Sequence, residues 1–171
     1  MTLIVDVSAE GVRAPVSRAR LRDVALSVLE AERVGDALVS IALVTALRIA
    51  RLNREHLHHA GETDVISFAL EPGGRRSKRA PVIGDIYIAP TVARANARRF
   101  GGSVREELER LVIHGTLHVL GYDHPDGGAR TASPMWRRQE QLLAAGRPTS
   151  RSRARKAATP TLPGPNRRGR A

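Results

Sequence analysis

Cysteine is absent from the chain, which excludes a disulfide framework and any metal site built on thiolates. Aromatic residues make up only 3% of it, too few for the stacking platforms that sequence-tolerant single-strand binders use. Any recognition of nucleic acid by this chain therefore rests on charge and shape. No apolar run is long enough to span a bilayer, and the N-terminus lacks a basic segment followed by an apolar one. The expectation is a soluble, intracellular protein, most simply cytoplasmic, with no membrane partner.

What the chain does have in excess is positive charge. It carries 28 Lys and Arg against 17 Asp and Glu, a net charge of +11 over 171 residues. That length suits one domain with a sizeable core. The charge is unevenly placed: residues 147–171 hold eight basic residues and no acid, leaving the preceding body at only +3. The tail is also rich in Pro, Gly, Ser and Thr with little apolar content, the composition of a disordered segment. The expected organisation is thus a folded domain over 1–146 and a disordered basic tail over 147–171. The tail reads either as a solubilising extension or as a loose contact with RNA phosphates that weakens steeply with salt.

Apolar periodicity predicts interleaved strands and helices. Strands are expected at Leu3–Val7, Leu38–Val44, Val65–Leu70 and Val82–Ile88, the last two forming a hairpin around a mobile basic loop, Glu71–Arg79. Helices are expected from Ser17, a plausible N-cap, to about Arg33; from Ala46 to about His58; from Pro90 to about Phe100; and from about Pro134 to Ala145. Gly101-Gly102 breaks the helix that runs to about Phe100, and Ser103 with Glu106 forms a capping box for one further helix to Leu120. The fold class is α/β (α+β): a single domain with a central mixed sheet of about four strands and helices packed on it.

The most specific chemistry lies at the end of that helix. His114, His118, Gly121 and His124 have the spacing H-x3-H-x2-G-x2-H. His114 and His118 lie one turn apart on one helix face. Gly121 supplies the left-handed residue that ends the helix, and the chain turns back so that His124 meets the other two. Three imidazoles with a fourth position free are the ligands of a catalytic zinc, where structural sites are closed by four protein ligands. A large class of zinc peptidases shares this frame but places a Glu directly after the first His as general base. Here that position is Gly115.

Three further segments accompany the His motif: Leu52-Asn53 followed by Thr63-Asp64-Val65-Ile66-Ser67-Phe68, then Ile83-Gly84-Asp85-Ile86-Tyr87-Ile88, then His114 to His124. In this order and with H-G-x-L-H-x-L-G-Y-D-H, the chain from Leu3 to Ala145 resembles the YbeY family of bacterial metal-dependent endoribonucleases. The resemblance implies an α/β fold with a central mixed sheet and one Zn2+ held by His114, His118 and His124. It also implies single-strand-specific endoribonuclease activity in 16S rRNA 3′-end processing and ribosome quality control. The implied partners are RNA (small-subunit rRNA and the ribosome) and ribosome-assembly proteins; DNA is not expected.

The sequence departs from the family pattern in three places. Leu57 stands where many members carry an Arg thought to bind phosphate, and Arg54 or Arg51 is the candidate replacement. Glu62 stands where Pro is usual. The segment from Pro125 to Pro134 replaces an acidic run and is about two residues longer. His114, Asp85 and Arg54 are the catalytic candidates. Asp85, an acid in an apolar strand, either orients a ligand His or a water or ends a strand and faces solvent. Asp64 and Asp123 have turn readings beside functional ones, and Met135-Trp136 with Leu142 and Leu143 reads as helix packing. Two other functions remain open at this point: a non-catalytic ribosome-assembly factor in which zinc only holds the fold, and, on chemistry alone, a zinc peptidase.

Overall fold

Alternating apolar residues build four strands: β1 (Thr2–Ala9), β2 (Asp36–Leu43), β3 (Val65–Ala69) and β4 (Val82–Ile88). In the computed structural model, which describes residues 1–57, 63–70, 80–125 and 127–146, they form one sheet in the order β1-β2-β4-β3. β1 pairs parallel with β2, and β2 with β4. β3 returns antiparallel to β4, the hairpin expected from sequence. The sheet is mixed, and the fold is α/β. The loop at 71–79, Glu62 and the tail at 147–171 lie outside the described residues.

Five helices accompany the sheet: α1 (Arg18–Ala31), α2 (Ala46–Leu52), α3 (Pro90–Arg99), α4 (Val104–Val119) and α5 (Pro134–Ala145). α4 is the hub, in contact with β3, β4, α1, α3 and α5. Ten of its 16 residues are buried, as expected of a helix enclosed on most sides. Four helices start on a hydroxyl that accepts a backbone N–H: Ser17, Thr45, Ser103 and Ser133. Each satisfies one of the donors left open by helix geometry.

Two glycines set how closely α4 lies on the sheet. A Cβ on Gly115 would stand 2.7 Å from Ile86 Cγ2, and one on Gly84 would stand 2.5 Å from Val119 Cγ1 and 2.9 Å from the Phe68 carbonyl oxygen. Side chains of adjacent strand residues alternate between faces. Gly84 and Ile86 thus face α4, and Asp85 faces away from it.

Two elements differ from the sequence reading. The helix expected to reach His58 is α-helical only to Leu52 and continues as a π-turn over Asn53–Leu57. Apolar spacing does not distinguish i→i+4 from i→i+5 closure over one turn, and the buried Asn53 sits where the change occurs. A 3₁₀ turn, Gly127–Ala132, precedes α5. It leaves no periodic signature, because side chains at i and i+3 eclipse in so short a piece.

Candidate metal centre

α4 delivers His114 and His118 to one point, and the helix end delivers His124. Gly121 has φ +90°, and the turn closes with Gly121 N–H donating to His118 O (2.8 Å) and Tyr122 N–H donating to Leu117 O (3.0 Å). This paired closure is the Schellman motif that a left-handed glycine permits. Asp123 Oδ1 accepts from the His124 backbone N–H at 2.8 Å, so the carboxylate shapes the turn that presents the third ring.

The ring orientations follow from the groups behind them. His118 Nδ1 lies 2.9 Å from the Tyr122 carbonyl oxygen, and His124 Nδ1 3.2 Å from the Pro125 carbonyl oxygen. A carbonyl only accepts, so both rings carry their proton on Nδ1. His114 Nδ1 lies 2.8 Å from Gln139 Oε1 on α5. The Gln139 amide is oriented by donating from Nε2 to Glu140 Oε1 (3.0 Å), and Glu140 Oε1 accepts in turn from Arg110 (3.1 Å). His114 therefore donates to Gln139 as well.

All three Nε2 atoms then point their lone pairs inward. His118 Nε2 is 3.1 Å from His114 Nε2 and 3.3 Å from His124 Nε2. Acceptors at that spacing repel unless something positive lies between them. For an imidazole–zinc bond of about 2.0–2.1 Å, a tetrahedral site places neighbouring nitrogens roughly 3.3 Å apart. The donor set, its protonation and its spacing fit a divalent metal, and this cluster can hold one.

Electrostatics favour the neutral rings that a metal requires. Burial first, then the neighbouring His118, bring the pKa of His114 down from 6.5 to about 3. Burial and the neighbouring His124 also lower that of His118. Tyr122 is fixed at both ends, its carbonyl accepting from His118 and its hydroxyl donating to Glu32 Oε2 at 2.7 Å. Arg138 Nε donates to Glu32 Oε1 at 2.7 Å. α1, α4 and α5 thus hold the rings through two relays, Arg110–Glu140–Gln139–His114 and Arg138–Glu32–Tyr122–His118. Such partners fix the tautomer and orientation of ligand rings.

The other sequence candidates are placed elsewhere. Asp85 is half-buried and paired in register with Ser40 and Phe68, across the sheet from α4 and its histidines. The pleat, which the residue's apolar neighbours conceal, sets Asp85 apart from the ligand rings, against the first of the two readings open in the sequence, that it orients a ligand His or a water. Arg54 is exposed on the π-turn, and no described contact joins it to the histidines. Asp64 accepts from Asn96 at 3.0 Å and so ties the start of β3 to α3. Gln139, Glu32 and Arg130 were missed. Gln139 had a legible signal, a lone polar residue on the apolar stripe with Met135 and Leu143. Arg130 and Glu32 had none among so many charged residues.

Gly115 has a physical reason. The position after the first ligand turns into the sheet against Ile86, with no room for a side chain. A glutamate there, where a peptidase of this frame places its base, would have to push Ile86 aside.

Comparison with known proteins agrees with this geometry. The family model described as Endoribonuclease YbeY matches residues 7–146. The chain is similar to the endoribonuclease YbeY of Geobacter metallireducens, 36% identical over 132 residues, which covers 77% of this chain and 88% of that protein. It is similar to the one of Bacillus licheniformis, 37% identical over 151 residues, covering 84% and 94%. Among solved structures it resembles the solution structure of TM1509 from Thermotoga maritima, with TM-score 0.52, 27% identity and coverage of 82% and 87%. With its histidine tripod intact, the chain belongs to the YbeY endoribonuclease family.

Proposed function

We propose that this protein is a zinc-dependent endoribonuclease that cleaves single-stranded RNA, acting in small-subunit (16S) rRNA 3′-end maturation and ribosome quality control. The observation that carries the reading is the tripod. Three Nε2 lone pairs converge within bonding range of one ion, and each ring is oriented by an acceptor behind it. The all-imidazole donor set suits zinc. His114, His118 and His124 would hold the ion, and neutral ligands leave it its full charge. When bound, it supplies a Lewis acid for a phosphoryl oxygen and acidifies water near neutral pH.

The protein's own residues do the rest. Gln139 and the Tyr122 carbonyl hold the rings in the tautomer that presents Nε2. Burial keeps His114 unprotonated across the physiological range. The peptidase alternative is disfavoured because position 115 is Gly and carries no carboxylate to act as base, packed as it is against Ile86. In the described residues no helix is long and apolar enough to cross a membrane; action on rRNA in the cytoplasm is part of the proposal. Ribosome-assembly proteins belong to the same proposal.

The test compares wild type with His118→Ala for cleavage of single-stranded and structured rRNA fragments, with bound zinc quantified in both. Removing a ligand is expected to abolish zinc retention and lower cleavage by about 10³-fold or more, with the circular dichroism spectrum retained. Equal cleavage by both would point to a contaminating nuclease. A fully zinc-loaded wild type that cleaves nothing, with or without ribosomes, would leave the non-catalytic assembly factor as the better reading.

A further inference from the structure

The 3₁₀ turn between His124 and α5 carries one arginine, Arg130, that differs from the other buried or half-buried arginines. Arg20 is paired with Glu109, Arg110 with Glu106, Glu107 and Glu140, and Arg138 with Glu32. No ion pair joins Arg130 to a carboxylate among the described residues. Its Nη2 donates to His114 Nε2 at 3.3 Å, and its guanidinium carbon stands 6.0 Å from the centroid of the Trp136 ring. Its Nε is buried with no hydrogen-bond partner. A guanidinium offers five N–H donors in a fixed plane, and among the described residues only the Nη2 contact to His114 uses one.

Among the described residues this cation has no carboxylate paired with it, yet it is aimed at the nitrogen that a metal needs. When a metal takes the His114 lone pair, Nη2 loses the acceptor it has here. Two positive charges side by side then repel unless an anion bridges them. Beside Arg130 and His114 opens a cavity of about 830 Å³, also walled by Trp136, which gives an anionic group access; the carboxylates on its lining are held by other partners, Asp64 by Asn96 and both Glu106 and Glu107 by Arg110. A planar fork of donors matches the non-bridging oxygens of a phosphate.

We propose that Arg130 is the residue of this chain that binds the scissile phosphate at the metal centre, donating from its guanidinium to a non-bridging oxygen and stabilising the charge that builds there during cleavage. The proposal rests on the endoribonuclease reading for its substrate, while the phosphate contact itself is tested separately. It assigns the cationic support of the reaction to the 3₁₀ turn rather than to Arg54 or Arg51. It also makes a second demand: because Arg130 and the metal share the His114 lone pair, removing the guanidinium must leave metal affinity unchanged or raised.

The experiment uses the zinc-loaded full chain as wild type, Arg130→Gln and Arg130→Lys, with Arg22→Gln on the surface of α1 as a control of equal net charge. Binding of inorganic phosphate is measured by calorimetry, zinc affinity by competition with a chelator, and cleavage on single-stranded RNA. For Arg130→Gln the expected results are phosphate binding weakened at least tenfold, zinc affinity equal or higher, and kcat about 10²–10³-fold lower. Arg130→Lys recovers part of the phosphate binding, and the control matches wild type. Phosphate binding by Arg130→Gln within threefold of wild type would overturn the proposal. So would loss of zinc or of the folded spectrum in that variant, since either makes Arg130 a structural residue. If wild type cleaves no RNA while phosphate binding still depends on Arg130, the endoribonuclease reading falls and the phosphate contact stands. If wild type cleaves and Arg130→Gln cleaves equally well, the contact falls and the enzyme stands.

Discussion

The two faces of the sheet are made of the same strands and differ in almost everything else. Toward α4 the strands present Val5, Val7, Val39, Ile41, Ile86 and Ile88, all buried. Toward the other side, Ile4 and Leu38 pair in register and remain 51% and 49% exposed, and the next row across is Asp6, Ser40 and Asp85. The packed face carries the metal centre. Three lone pairs held about 3 Å apart are mutually repulsive, so the rings need a frame that does not yield, and a close-packed helix–sheet contact supplies it. The other face is close-packed only at one end, where Ala42 and Ile66 meet Ile49 of α2, and is open at the end that carries Ile4, Leu38 and Ser40. Motif residues that look alike in sequence therefore have different weights according to the face they reach.

The contact between α4 and β4 is where that difference can be tested most severely. Gly84→Ala would place a Cβ against both methyls of Val119 and, at 2.9 Å, against a backbone oxygen that has little room to move. Overpacking of this kind costs about 1–3 kcal/mol, and the rigid neighbour puts Gly84→Ala at about 3 kcal/mol. Ser40→Ala, on the open face, is expected to stay within about 0.5 kcal/mol of wild type. Urea titration of the three proteins compares them directly. Equal stabilities would mean that the two faces are not packed differently at all.

Gln139→Leu comes next. The variant keeps the volume on the apolar stripe of α5 and removes the acceptor for His114 Nδ1–H. Losing such a partner typically lowers metal affinity about 10–100-fold. Chelator competition reads the loss, and the same competition on Ser40→Ala is expected to show none. A Gln139→Leu protein with unchanged zinc affinity would mean that the packing of α4 alone orients the ring.

Much of this arrangement was legible in the chain. The four strands follow from apolar spacing, and their β3–β4 hairpin was expected. The metal site was legible because its ligands are local: three histidines within eleven residues, with Gly121 to turn the chain. Its supports come from far along the sequence, Gln139 from α5 and Glu32 from the end of α1, and no spacing rule predicts those meetings. Gly115 was read as a missing catalytic base, and only the approach of Ile86 shows why the base is missing.

Acidification separates the packed face from the open one by a different route. His114 has a folded pKa near 3 against 6.5 in an unconstrained chain, so between those values the unfolded state binds more protons than the folded state. Stability then falls as pH falls. The metal-free protein is expected to keep a constant melting temperature from pH 8 to about 6.5 and to lose stability progressively below that, toward pH 3. The lowered pKa of His118 adds to the slope in the same direction. Zinc should displace the loss to lower pH, because protons must compete with the ion for the same lone pairs. Calorimetric melts with and without zinc measure both curves, and a flat profile between pH 6.5 and 4 in the metal-free protein would show that burial does not hold His114 neutral.

The smallest expected effect is the most informative about how the motifs divide. Asp85 stands beside Gly84 in the motif yet points to the opposite face, paired in register with Ser40 and Phe68. Asp85→Asn keeps the shape and removes the charge. If the faces are separate, the variant should bind zinc as wild type does and lie within about 0.5 kcal/mol in stability. Its Tyr87 neighbour offers an internal control: burial first, and the Asp85 charge second, raise the tyrosine pKa, so the substitution should lower it, readable by ultraviolet titration. A shifted Tyr87 with unchanged zinc affinity would show the charge acting on its own face alone. A changed zinc affinity would mean that the sheet transmits the carboxylate's influence to the histidines, and the packed and open faces would have to be treated as one site.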